Sequence, residues 1–338
     1  MASLEEALAL HRKYIVVDAH CDTIHDVVQG RRVLGEKSTR GHLDFPRMKD
    51  GGVGAQFFAA YIEPQYKPDR GVQRAIQLID AIWGQVQAYP DQAAVALNRG
   101  DIESIHASGR IAVIISIEGG EAVGDHLAHL RAMYRLGVRA MSLTWNQRNL
   151  LADGSWEART RGGLTRFGVE TVQEMNRLGM LVDVSHLSDA GFWDVMEVSK
   201  APVVATHSNA RALCDVPRNL TDDQIRALAQ KGGVMGINFY PGFLDASGEA
   251  DVKRLVDHID HISSLVGPEH VGLGSDFDGI EKVPGGVPDV SHMPAVTREL
   301  LERGYKEHDI AGILGGNFLR VINQVWHAAG ELGWPAEI

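Results

Sequence analysis

The chain predicts a (β/α)8 TIM-type barrel, and three observations carry that expectation. Eight apolar runs of β-branched character recur at 14–20, 52–62, 111–118, 138–145, 181–186, 202–207, 233–240 and 270–276. Runs apolar on both faces are the mark of parallel strands covered by helices, and helix-period segments lie between them. Five of the runs finish on an acid or an imidazole, and the carboxyl ends of barrel strands are where chemistry is assembled. An open doubly wound sheet is the rival, but functional side chains spread over five strands fit a closed barrel better. The length of 338 residues suits one such barrel as a single domain, 1–338.

Taken in order, the first run ends in His20 and Asp22, alternate residues that point the same way in an extended chain. Asp18 is expected on the other face, steadying an imidazole. Residues 21–50 form a long irregular stretch on the loop side. After the second run, Asp69 can cap a helix with Val72, Ile76, Ile79, Trp83 and Val86 on one stripe. The third run ends in Glu118, and a second irregular stretch, 146–164, follows the fourth. Thr165 opens a helix that Gly179 closes. The fifth run ends in His186 ahead of a Ser188-capped helix, and the sixth ends in His207. Thr221-Asp-Asp-Gln224 reads as a capping box. Tyr240 ends the seventh run at the expected pocket, Asp251–Leu265 is amphipathic, and the eighth run ends in Asp276. Residues 280–290 form a further loop, and 291–338 are expected to be helical and packed outside the barrel.

Bulk composition narrows the partners. There are 33 Lys and Arg against 44 Asp and Glu, a net charge of -11, and no basic run. Nucleic acid and anionic membrane are therefore poor partners. The two cysteines, Cys21 and Cys214, exclude a disulfide framework and read as reduced thiols. No basic-then-apolar leader opens the chain, and no stretch approaches the roughly 20 apolar residues of a membrane span. A cytoplasmic location is the resulting expectation.

The strand ends suggest their own chemistry. His20 and Asp22 can bind one divalent cation, and His186 and His207 another, with Glu118 bridging. A pair of Zn²⁺ ions so held, about 3.5–4 Å apart, would acidify a shared water and polarise a carbonyl. Asp276, not needed as a ligand, is placed to take that water's proton and deliver it to a leaving nitrogen. Such an assembly hydrolyses amides or phosphoesters. Arg218, just past the His207 run, suits a bidentate grip on a carboxylate; from position alone a surface ion pair fits equally well.

At this point the motifs resemble the renal (membrane) dipeptidase family of binuclear zinc peptidases, within the amidohydrolase-like barrels. The matching pieces are Val17-Asp-Ala-His-Cys-Asp22, Asp44-Phe-Pro-Arg-Met-Lys-Asp-Gly-Gly-Val-Gly-Ala-Gln56, Ile117-Glu-Gly-Gly120, Leu136-Gly-Val-Arg139, Asn176-Arg-Leu-Gly179, Asp183-Val-Ser-His186, His207-Ser208, Arg218-Asn219 and Gly274-Ser-Asp-Phe-Asp-Gly279. They run in order along nearly the whole chain. The resemblance implies one zinc on His20, Asp22 and Glu118, a second on Glu118, His186 and His207, Asp276 as proton shuttle, and Arg218 on the terminal carboxylate of a small dipeptide. It also implies tolerance of a D-residue at the C-terminal position, with β-lactam or N-acyl-amino-acid hydrolysis as the alternative activity, and by analogy a homodimer. One departure stands out. Where mammalian members carry Leu-Thr-His after the fourth strand, this chain reads Leu143-Thr-Trp145-Asn146. Either Asn146 contacts the substrate in that histidine's place or the metal alone polarises the carbonyl.

Overall fold

The computed structural model describes residues 2–331. Among the described residues there are nine parallel strands: β1 (Val16–Cys21), β2 (Val53–Tyr61), β3 (Ala93–Val95), β4 (Ile111–Glu118), β5 (Val138–Ser142), β6 (Leu181–Asp183), β7 (Val204–Ser208), β8 (Val234–Ile237) and β9 (Val271–Leu273). Eight of them close a barrel in the order β1-β2-β4-β5-β6-β7-β8-β9, with β9 returning to β1. The ninth, β3, was not expected. It pairs only with the first residues of β4 (Ala93 with Ile111, Val95 with Val113), below the point where β5 takes over that edge.

The strands alternate as a barrel requires. Along β4, Ala112 and Ile114 face the interior apolar cluster, while Val113, Ile115 and Ile117 face the surrounding helices. β2 and β4 run in register from Ala55 opposite Ala112 to Tyr61 opposite Glu118, so the interior row ends in those two polar side chains. The interior is narrow at its base, with Ala19, Ala55, Ala112 and Ala140 beside Phe57, Ile114 and Leu181. Phe318, Val321, Ile322 and Val325, on the helix Asn317–Glu331, join this same cluster, and the Phe318 and Phe57 rings lie 6.3 Å apart. That helix therefore seals the amino-terminal mouth of the barrel, where the sequence suggested packing on the outside. Sealing buries the apolar floor that eight parallel strands leave open at that end. The part of the expected tail beyond residue 331 lies outside the described residues.

Most caps form as read. Thr165, Ser188 and Thr221 each accept a backbone N–H from the first turn of their helix, Gln224 completes the capping box, and Gly179 ends its helix at φ 69°. Asp69 does not cap. The helix starts at Gly71, and an added Cβ there would come within 2.5 Å of the Glu121 carbonyl oxygen. Gly71 is thus packed closely on the turn after β4, and Arg70 takes the N-cap position without a side-chain bond. On that helix Ile76 is exposed, and the buried stripe is Ala75, Leu78, Ile79, Ile82 and Val86. The 21–50 stretch contains two short helices, Ile24–Val28 and Phe45–Gly51, the second capped by Asp44. Cys21 and Cys214 are both buried and unpaired. No helix among the described residues is long and apolar enough to cross a membrane.

Several of the expected runs leave the ladder early. β6 stops at Asp183, because its Oδ1 accepts the Ser185 N–H and turns the chain, and His186 then adopts φ 70°. β9 stops at Leu273, and Asp276 adopts φ 63°. Left-handed backbone is uncommon for residues with a Cβ and concentrates at functional sites. Here it turns the last side chains of the runs away from regular alternation.

A buried histidine on the helix Val252–Val266 gives the fold a pH signature. His258 is fully enclosed; its Nδ1 accepts the Ala210 N–H (3.1 Å) and its Nε2–H donates to the Leu244 carbonyl (2.9 Å). Burial pushes its pKa down to about 4, so the neutral ring is the folded form. The unfolded ring titrates near 6.5, so its contribution is complete above that pH and is lost as pH falls towards 4. Urea unfolding is expected to show a loss on the order of 3 kcal/mol between pH 7 and 4 from this site. The His258→Gln variant should show a shallower pH dependence over the same window.

Candidate metal centre and active site

Six of the side chains singled out by sequence meet at the carboxyl end of the barrel. His20 Nε2 lies 3.4 Å from Asp22 Oδ2, 3.4 Å from Glu118 Oε2 and 3.8 Å from Asp276 Oδ1. The other Glu118 oxygen, Oε1, faces His186 Nε2 at 2.7 Å and His207 Nε2 at 3.7 Å. Glu118 thus divides its two oxygens between two groups of donors. His186 and His207 bring their Nε2 atoms within 2.9 Å of each other, and the His20 and His207 rings stack at 3.7 Å. Two triads have all their donor atoms within 4.8 Å: His20, Glu118 and His207, and His20, Asp22 and Asp276. All six residues are buried.

Local backbone devices aim these groups. β1 carries one residue more than β2 between the pairs Asp18–Gln56 and Cys21–Phe58, a bulge beside His20. Asp18 does not touch an imidazole, in contrast to the expectation. Its carboxylate accepts the Ser275 N–H (2.7 Å) and hydroxyl (2.6 Å), bracing the β1–β9 seam next to Asp276. His207 is oriented by a relay: its Nδ1 meets the Thr206 hydroxyl at 2.8 Å, and that hydroxyl donates to Asp183 at 2.5 Å. Nδ1 therefore carries the proton, and the Nε2 lone pair faces Glu118. Gly279 completes the cradle. A Cβ there would fall 2.1 Å from Asp22 Oδ2 and 2.6 Å from Asp276 Oδ1.

The electrostatics fit a cation. Burial, followed by the Arg218 charge, pushes His186 down to about 3, and burial likewise lowers His207 well below its ordinary value. Both rings are thus neutral, the form that ligates metal. His20 opposes this trend: burial alone would lower it, but the charges of Glu118 and Asp22 raise it well above the usual range. Burial raises Asp276 to about 7, with the Asp22 and Glu118 charges adding to the rise. His20 Nε2 and Asp22 Oδ1 are enclosed and have no hydrogen-bond partner. An unpaired buried polar atom costs about 1–3 kcal/mol. Divalent cations among these donors would satisfy those atoms and balance three neighbouring carboxylates.

Beside the donors lies an open cavity of about 650 Å³, whose walls include Tyr61, Trp145, Asn146, Trp156, Tyr240 and Phe243. Trp145, which stands where mammalian members of the resembling family have histidine, packs against Tyr61 (5.3 Å) and Trp156 (5.1 Å) as part of an aromatic wall. Tyr240 is on the wall as expected. Asn146 is there too, but its Oδ1 is engaged by His186 Nδ1 (2.8 Å) and the Ser155 hydroxyl (2.8 Å). Arg218 is no surface ion pair. It is 6% exposed, donates to Ser208 Oγ (2.9 Å) and the His207 carbonyl (2.8 Å), and has no carboxylate within salt-bridge distance among the described residues.

Sequence reasoning passed over His25, which also lines the cavity. Its Nδ1 lies 3.1 Å from Glu63, which Arg74 grips with two hydrogen bonds (2.8 and 2.6 Å). Neither Glu63 nor Arg74 ends an interior strand row, so only the fold brings them to this wall. Asp278 proves structural, tying Arg32, Thr23 and the His42 N–H to the loop after β9.

A parallel barrel with imidazoles and carboxylates converging at its carboxyl end has the architecture of metal-dependent barrel hydrolases. The chain belongs to the membrane dipeptidase family (peptidase family M19), whose profile matches residues 4–335. Dipeptidase 3 of Mus musculus is 38% identical over 331 residues, covering 95% of this chain and 66% of the mouse protein, so the chain spans just under two-thirds of that relative. The probable dipeptidase PvdM from Pseudomonas aeruginosa superposes with a TM-score of 0.89 at 27% identity, over 96% of this chain and 99% of that one. A metallo peptidase from Rhodobacter sphaeroides, liganded with a phosphinate mimic of the dipeptide L-Ala-D-Ala, gives a TM-score of 0.86 at 30% identity, over 93% and 99% of the two chains.

Because an alanine at 279 must displace both neighbouring carboxylates, Gly279→Ala is expected to weaken divalent-metal binding at least tenfold in calorimetric titration. Its far-ultraviolet circular dichroism should match wild type.

Proposed function

We propose that the protein is a binuclear zinc dipeptidase that hydrolyses the peptide bond of small dipeptides, including those with a D-residue at the C-terminal position. The observation that carries this reading is Glu118, whose two oxygens separate two donor groups on one barrel face. His20, Asp22 and Glu118 would hold one ion, and Glu118, His186 and His207 the other. When bound, the ions would supply Lewis acidity towards a carbonyl oxygen and lower the pKa of water.

The chain's own residues supply the remaining roles. Asp276 is tethered by Asn238 Nδ2 at Oδ2 (2.8 Å), which leaves Oδ1 beside His20 to take up a proton. From there it can accept a proton from the attacking water and return it to the leaving nitrogen. The C–N bond then breaks to give a carboxylic acid and an amine, which exchange the second water proton to leave a carboxylate and an ammonium group. Arg218 is a buried guanidinium without a carboxylate partner, a costly arrangement in isolation, and a dipeptide's terminal carboxylate would complete it. Tyr240 and Phe243 would wall the same end, and Trp145, Tyr61 and Trp156 would face the side chains. The substrate mimic held by the Rhodobacter sphaeroides relative supports a dipeptide of L-then-D configuration as substrate class.

Zinc-loaded protein should release amino acids from an L-L and L-D dipeptide library, as read by mass spectrometry; no release from any member would refute the reading. Asp276→Asn should lower kcat by roughly 10²–10⁴-fold, the usual worth of a general acid–base group. Arg218→Met should raise KM for dipeptides, yet leave hydrolysis of a dipeptide amide nearly unchanged. Equal losses on both substrates would remove Arg218 from carboxylate binding.

A further inference from the structure

We infer that Asn146 is a positioning residue for His186: its amide oxygen holds the imidazole with the proton on Nδ1 and the Nε2 lone pair turned to Glu118. The inference rests on the reading of His186 as a metal ligand. It assigns Asn146 a task other than the substrate contact expected from sequence.

His186 Nδ1 lies between two competing neighbours. Asn146 Oδ1 is 2.8 Å away and can only accept; Arg218 Nε–H is 3.1 Å away and can only donate. One ring nitrogen cannot serve both. If Nδ1 takes the arginine proton as acceptor, the ring's own proton must sit on Nε2 and point at Glu118 and His207, the side from which a cation would be bound. If Nδ1–H donates to Asn146, the Nε2 lone pair is free in that direction. Asn146 therefore selects the ligating tautomer, and Arg218 selects the other.

The surroundings bias the outcome towards Asn146. Its Oδ1 also accepts the Ser155 hydroxyl (2.8 Å), its backbone carbonyl accepts the Trp156 N–H (2.9 Å), and the Ser155 N–H donates to the His186 carbonyl (2.8 Å). These bonds lock the start of the 146–164 segment onto a histidine already held at φ 70°. The arrangement parallels the one at His207, where the Thr206–Asp183 relay fixes the proton on Nδ1. Both histidines facing Glu118 Oε1 thus have a dedicated acceptor behind them, one built from a carboxylate relay and the other from an amide. Such outer partners typically contribute 10–100-fold to metal affinity. With Nδ1 protonated, the Arg218 Nε–H loses its acceptor and becomes a free donor for a substrate carboxylate.

The test uses zinc competition against a chromogenic chelator and long-range 15N–1H spectra of the histidine rings. In zinc-loaded wild type, His186 should show a protonated Nδ1. Asn146→Leu should bind one of its two zinc ions roughly 10–100-fold more weakly, while Asn146→Asp, which keeps an acceptor, should bind at least as tightly as wild type. A His186 proton on Nε2 in zinc-loaded wild type would overturn the inference without any variant. So would wild-type affinity at both sites in Asn146→Leu. Wild-type protein that takes up no zinc at all would instead refute the metal reading beneath it.

Discussion

Three carboxylates, Asp22, Glu118 and Asp276, and three imidazoles, His20, His186 and His207, are enclosed together at one end of the barrel. Taking like charges out of water and placing them within a few ångströms of one another is strongly unfavourable unless opposite charge joins them. Much of the local structure follows from that constraint. The carboxylate charges draw His20 towards protonation and add to the burial that lifts Asp276 to about 7, while burial and neighbouring positive charge drive His186 and His207 away from protonation. Divalent cations on the two sides of Glu118 would resolve the conflict and satisfy the enclosed His20 Nε2 and Asp22 Oδ1.

The scaffold holds these groups by departing from regular strand geometry where they occur. The bulge in β1 reorients His20, left-handed backbone at His186 and Asp276 turns their side chains, and Gly279 leaves room for two carboxylates. Each departure costs stability locally and is offset by a rigid neighbour. Asp18 staples the β1–β9 seam through Ser275, Asp183 fixes both the Ser185 turn and Thr206, and the helix Asn317–Glu331 closes the opposite mouth. The open end, in contrast, is built from loops with aromatic side chains. Such loops can vary in specificity without disturbing the donor set.

The barrel was legible because its eight long apolar runs and its caps are local signals, carried by residues such as Thr165, Thr221 and Gly179. The convergence of His20, Glu118, His186 and His207 was legible because each closes an apolar run, although a bulge beside His20 and left-handed backbone at His186 set their final aim. What escaped depended on contacts between distant segments. β3 is three residues of unremarkable composition recruited by the edge of β4, and the helix that Asp69 was expected to cap starts two residues later at Gly71, which packs on Glu121. The final helix is amphipathic in sequence, but nothing local says which apolar surface it will cover. Asn146 was read as a substrate contact because its neighbour replaces a histidine, whereas the Ser155 and His186 contacts that occupy it arise only on folding. His25 carried no strand-end signal at all, and its Glu63–Arg74 support is assembled from a different loop and helix.

The most direct measurement is anomalous diffraction at the zinc edge from crystals of protein purified without chelator. Two peaks are predicted per chain, one on each side of Glu118, with His20 and Asp22 at the first and His186 and His207 at the second. A single peak elsewhere, or none between these side chains in zinc-replete crystals, would contradict the account.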